Sequence, residues 1–123
     1  MSDSEKIKIL FDDEHIICTM AAEILDFFGF DIDVFEDSKK ALEAFKANAK
    51  SYNIVITDQA MPGLTGFDLL SEIIKIRNDI PKILCTGYSN QFEALKNNVI
   101  GIDALFRKPY HFEDLIEEIR KLV

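Results

Sequence analysis

Short runs of Ile, Val, Leu and Phe recur along the chain, at residues 7–11, 54–57, 83–86 and 104–106. Between and after them the apolar residues switch to helical spacing. This alternation constrains the fold more than any other feature. Continuous apolar runs suit strands covered on both faces, and strands that alternate with helices lie parallel in one sheet. Ile17, Met20, Ala21, Ile24 and Phe28 fall at i, i+3, i+4, i+7 and i+11 and predict the apolar face of a first helix, closed by Gly29. Leu69, Ile73 and Ile76 repeat the pattern, as do Phe112, Leu115, Ile116, Ile119, Leu122 and Val123. Asp37 suits the N-cap of a helix holding Leu42 and Phe45, and Thr65 that of the helix through Leu70. The weakest helix spans 91–99, where Asn97 and Asn98 lower the propensity, and motion is expected there.

Residues 31–35 read differently: Ile32 and Val34 alternate with Asp31 and Asp33, as in a strand at a sheet edge. Right-handed crossovers and an edge second strand favour the order 2-1-3-4-5. The expected fold is α/β and flavodoxin-like, a (βα)5 chain whose five-stranded parallel sheet carries helices on both faces. The 123 residues amount to one domain, and 48% apolar content exceeds what a disordered chain carries. Twenty-two acidic residues against 14 basic ones give a formal charge of −8, which disfavours nucleic acid and anionic membranes as partners. Cys18 and Cys85 lie outside any CxxC spacing and read as reduced, buried thiols. The polar start carries no secretory signal and no apolar run reaches the length of a membrane span, so a cytoplasmic location is expected.

In an open parallel sheet, ligands bind beyond the carboxyl ends of the strands. Asp12 and Asp13 follow the first run, Asp58 the third; Thr86 ends the fourth, and the fifth leads into Lys108. Each has an ordinary alternative: Asp13 as a helix cap, Thr86 as a turn former, Lys108 as a surface charge. Together they ask for more. Three carboxylates on one rim repel one another unless a cation or protons neutralise them. Mg²⁺, held by one or two carboxylates and phosphate oxygens, meets that cost. Lys108 adds a compact positive charge, Thr86 a hydroxyl, and Gly87 open space. Neither GxxxxGK[ST] nor GxGxxG is present, so a bound nucleotide is disfavoured. A phosphoryl group would then rest on a protein carboxylate.

Phe11-Asp12-Asp13-Glu14, the stretch from Thr57-Asp58-Gln59-Ala60-Met61-Pro62 to Gly66, Cys85-Thr86-Gly87 and Lys108-Pro109 together resemble the receiver domain of two-component response regulators. The likeness runs from about Lys6 to Val123, and residues 1–123 are read as a single receiver domain. The resemblance implies that Asp58 accepts a phosphoryl group from a phosphohistidine. It makes Asp13 a direct metal carboxylate, Asp12 the acid that holds the metal or its water, and the Ala60 carbonyl a further ligand, with Mg²⁺ as cofactor. Lys108 would pair with Asp58 at rest and with a phosphoryl oxygen afterwards, Thr86 would turn to another such oxygen, and Lys108–Pro109 would be a cis peptide. The implied donor is a histidine kinase or a phosphotransfer protein, meeting the first helix and the rim. The implied output is a protein–protein interaction. Such a chain is not a conventional turnover enzyme but assists its own phosphorylation and dephosphorylation.

One position departs from the pattern. Receivers usually carry Tyr or Phe three residues before the lysine, where this chain has Leu105, and alternation sends Phe106 to the opposite face. The site looks complete while the usual relay does not, so a receiver-like interaction module that no longer switches is the competing reading. An aspartate-nucleophile phosphatase is disfavoured, because its Asp-x-Asp would follow the first strand. A shift of 91–99 on phosphorylation, and shielding of the phosphoryl group by Tyr88, are further expectations. His15 and His111 read as solvated residues at helix beginnings, Phe27, Phe28 and Phe30 as core or hinge packing, and acid-rich 113–118 as a solvated face. No effector segment is recognisable, and the Thr-Asp-Gln-Ala-Met-Pro and Cys-Thr-Gly-Tyr-Ser wording leans toward hybrid-kinase receivers.

Overall fold

The structure, a computed structural model, describes residues 6–13, 15–61, 63–87, 101–108 and 110–123, with the backbone alone for 15–19. The expected helix at 91–99, Tyr88, the Lys108–Pro109 peptide and the side chains of His15 and Cys18 lie outside the described residues. The elements are β1 (Lys8–Asp12), α1 (His15–Phe27), β2 (Asp31–Phe35), α2 (Ser38–Ala47), β3 (Ile54–Asp58), α3 (Gly66–Ile76), β4 (Lys82–Thr86), β5 (Ala104–Arg107) and α4 (Phe112–Leu122). All strand pairs are parallel and the order is β2-β1-β3-β4-β5, with β2 at the edge as its composition predicts. Strands β1 and β3 each reach one residue further than their apolar runs, because Asp12 and Asp58 still pair with neighbouring strands.

Strand alternation divides the core into two layers. Ile9, Phe11, Ile54, Ile56, Ile83 and Cys85 face α1 and α4, whose Ala21, Leu25, Leu115, Ile116 and Ile119 cover them. Leu10, Val55 and Leu84 face the other way, under Ala41 and Phe45 of α2 and Leu69, Leu70 and Ile73 of α3. Fully burying one such large side chain contributes roughly 1.5–3 kcal/mol. This two-sided burial leaves the strand ends as the place where polar groups collect.

Helix ends are set by the residues the sequence nominates. Asp37 accepts from Lys39 N–H at 2.8 Å at the start of α2. Thr65 and Asp68 form a reciprocal capping box at the start of α3. Gly29, at φ +91°, ends α1 with two bonds: its N–H donates to Asp26 O and that of Phe30 to Leu25 O, both at 3.0 Å. The buried face of α1 differs from the expected one. Ala21 and Leu25 are covered, whereas Met20 and Phe28 are about half exposed and Phe27 is 83% exposed; of the three phenylalanines only Phe30 is core. A helix apolar on adjacent stripes does not reveal by periodicity which one the sheet covers. Ile76, the last residue of α3, and Val123, just past the end of α4, are likewise exposed. His111 is exposed at the N-cap of α4 and makes no side-chain cap bond, as its surface reading requires.

Candidate functional site

The carboxyl ends of β1 and β3 adjoin in the sheet and carry the acids. Asp12, Asp13, Asp58 and Thr86 are all buried, none more than 4% exposed. Asp12 lies opposite Thr57 in the parallel register and shares the α2 side of the sheet with Leu10. Its Oδ2 accepts two hydroxyl bonds, from Ser38 Oγ at 2.7 Å and from Thr57 Oγ1 at 3.0 Å. Its Oδ1 is buried with no hydrogen-bond partner. Burial pushes this carboxyl up to about 6; the two hydroxyls pull the other way, while the Asp37 and Asp58 charges add to the rise.

Lys108 closes the gap between the other two acids. Its Nζ lies 2.9 Å from Asp13 Oδ1 and 2.7 Å from Asp58 Oδ2, bridging residues 95 and 50 positions away. Burial works to lower the Lys108 pKa, but the bonds and charges of Asp58 and Asp13 outweigh it and hold the ammonium firmly protonated. The backbone sets Lys108 in place, its N–H donating to Thr86 O at 2.8 Å. Ala60 N–H lies 3.4 Å from Asp58 Oδ1. The structure therefore gathers Asp12, Asp13, Asp58, Ala60 and Lys108 on one rim, with Thr86 joined to it through the backbone.

This donor set fits a hard divalent cation. It offers oxygen ligands, surplus negative charge and one buried carboxylate oxygen that nothing else satisfies. Among the described residues no three His, Cys, Asp or Glu side chains stand as a ready-made ion shell, and Lys108 bridges Asp13 and Asp58. Cys85, next to Asp58 in register, is a buried free thiol whose pKa burial drives upward, so it carries no reactive thiolate.

Three supporting residues escape a reading by strand ends alone. Gln59 is a joint: its N–H donates to Cys85 O at 2.8 Å, its carbonyl accepts from Gly66 N–H at 3.1 Å, and its Oε1 accepts from Phe67 N–H at 2.8 Å. Gly66 lets α3 start against the end of β3, because a Cβ there would come within 2.5 Å of Asp58 O. Ser38 is the third. It stands at i to the buried Ala41 and Phe45 at i+3 and i+7, so a polar residue on the covered face of α2 was the signal for it.

Opposite faces separate Leu105 and Phe106, as strand alternation predicts. Leu105 packs with the α2–α3 layer, and Phe106 with the α1–α4 layer, edge-on to Tyr110 at 5.6 Å.

The chain matches the family model of the response regulator receiver domain over residues 9–120 and belongs to that family. It is 29% identical over 115 residues to the transcriptional regulatory protein CpxR homolog of Haemophilus influenzae, covering 94% of this chain and 49% of that protein. The chain thus spans about half the length of the curated relatives it matches. Among solved structures it resembles a response regulator receiver domain protein of Clostridium thermocellum, at 32% identity and TM-score 0.84, covering 94% of this chain and 93% of that one. It also resembles the response regulator TrrA of Thermotoga maritima in complex with Mg²⁺–BeF, at 33% identity and TM-score 0.82, covering 97% and 100%. Among the described residues no helix is long and apolar enough to cross a membrane.

Proposed function

We propose that this chain is the phosphoacceptor of a two-component phosphorelay, in which Asp58 takes a phosphoryl group from the phosphohistidine of a histidine kinase or phosphotransfer protein. The observation that carries the reading is the Lys108 ammonium bridging Asp13 and Asp58 beside the unpartnered Asp12 Oδ1. Asp12, Asp13, Asp58 and the Ala60 carbonyl would hold Mg²⁺, a cation also present with the Thermotoga maritima relative. When bound, Mg²⁺ supplies neutralisation of the negative charge on the transferring group. An oxygen of Asp58 forms the new P–O bond while the P–N bond to the donor imidazole breaks and its electron pair stays on the ring nitrogen. Lys108, held close by the backbone bond to Thr86, moves its charge from the Asp58 carboxylate to a phosphoryl oxygen, and the Thr86 hydroxyl donates to another. Positioning and charge do the work, so the chain is consumed by phosphorylation and restored by hydrolysis rather than turning over freely. The donor meets α1 and the rim, and the phosphorylated chain exchanges its protein partners; nucleic acid and membrane are not its targets.

Incubation with Mg²⁺ and a small acyl phosphate, followed by intact-mass measurement, tests this. The wild type gains one phosphoryl group and Asp58→Ala gains none. A wild type that stays unmodified while its fold is intact favours the second reading, a module that binds partners without switching. The observation behind that alternative is Leu105, packed in the α2–α3 layer where receivers carry an aromatic ring.

A further inference from the structure

Asp12 is held in an unusual way. Both of its hydrogen bonds end on the same oxygen, Oδ2, and both come from hydroxyls, although a carboxylate can accept at two oxygens. The donors arrive from two different elements, Ser38 from the first turn of α2 and Thr57 from β3, so the carboxylate cannot swing about its Cβ without losing one of them. Ser38 is fully buried and Thr57 nearly so. Thr57 Oγ1 also lies 3.3 Å from Asp58 O, but the Asp12 contact is the shorter one. The outcome is an oxygen, Oδ1, kept buried and bare. A residue needed only to bury Asp12 safely would satisfy that oxygen too, because an unmet buried acceptor costs about 1–3 kcal/mol.

We infer that Ser38 and Thr57 are positioning residues for cation binding, clamping Asp12 by Oδ2 so that Oδ1 faces the ion or its water. Hydrogen-bonded partners that orient a ligand commonly tune metal affinity as strongly as a weak ligand does. The inference rests on the Mg²⁺-dependent reading above and adds two side chains to it. It also couples the start of α2 to the occupancy of the site.

The test is calorimetric titration of the full chain with MgCl₂. Ser38→Ala removes one oxygen atom, and Thr57→Val replaces the hydroxyl by a methyl of similar size. Each is expected to weaken Mg²⁺ about tenfold, while Thr57→Ser, which keeps the hydroxyl, stays close to wild type. A merely structural role would lower the melting temperature of the metal-free variants and leave the Mg²⁺ affinity in place, and that result overturns the inference while the phosphoacceptor reading stands. Loss of affinity in Thr57→Ser equal to that in Thr57→Val also overturns it. A wild type without saturable Mg²⁺ binding overturns the reading of the site itself. If one variant fails to fold, the other position decides.

Discussion

The two ends of the sheet treat their charges in opposite ways. At the end where the strands begin, no described buried side-chain polar atom lacks a hydrogen-bond partner. Tyr52 Oη donates to Asp33 Oδ2 at 2.7 Å, Lys8 lies 3.6 Å from the same carboxylate and over the Tyr52 ring, and Arg77 donates to the carbonyls of Ala49 and Tyr52 and to Asp79. Buried Lys82 places its ammonium on the Ile80 carbonyl, while its N–H donates to Asp103 Oδ2. At the end where the strands finish, Asp13 and Asp58 share one lysine, and Asp12 is held by two hydroxyls on a single oxygen. Among the described residues the only buried side-chain polar atoms without a hydrogen-bond partner are Asp12 Oδ1 and the hydroxyl of Tyr110, two residues after Lys108. A network that only supports the fold is closed; one that serves chemistry is left with capacity to spare. The sign of a mutation's effect on stability should therefore differ between the two ends.

Asp12→Asn gives the largest expected effect. The Asp12 carboxyl titrates at about 6 in the folded chain against an ordinary 3.8, so the folded state holds its proton across that window. The cost of its charge is absent at low pH, grows as pH rises from about 4 to 6, and is fully present above. Denaturant unfolding without Mg²⁺ should show Asn more stable than Asp by up to about 3 kcal/mol at neutral pH, with the difference vanishing near pH 4. A neutral-pH gain that persists unchanged into acid would break the contrast. At the opposite end, Arg77→Ala should destabilise by about 2 kcal/mol, since it strips two carbonyls of a charged donor. Stability equal to wild type there would mean that water replaces the guanidinium at no cost. Tyr52→Phe should be the mildest, about 1 kcal/mol for one lost hydroxyl bond. A stabilising result would place that network in the same class as the rim.

Much of this could be read in advance, for physical reasons that differ residue by residue. Strand runs, the edge position of 31–35, the caps at Asp37 and Thr65 and the stop at Gly29 are local matters of spacing and backbone preference, and all appear in the fold. The acids of the rim were legible because in a parallel sheet every strand finishes at the same end. The exposed stripe of α1 was not. Met20 and Phe27 look like core residues until the angle at which the helix meets the sheet is known. Ser38 escapes a local reading, because the Asp37 cap accounts for the start of α2 without it.

By itself, then, the sequence determined the order of the described elements, the alternation of strand neighbours between two faces, and the rim to which the acids are delivered, since these follow from periods of 2 and 3.6 and from parallel pairing. Only the tertiary structure decided that Lys108, expected beside Asp58 from the resemblance, also holds Asp13, that two hydroxyls take one oxygen of Asp12, and that Gly66 must lack a side chain beside Asp58. Those contacts unite positions far apart along the chain. Their distances depend on how crossovers and helix angles close the fold, which no local pattern encodes.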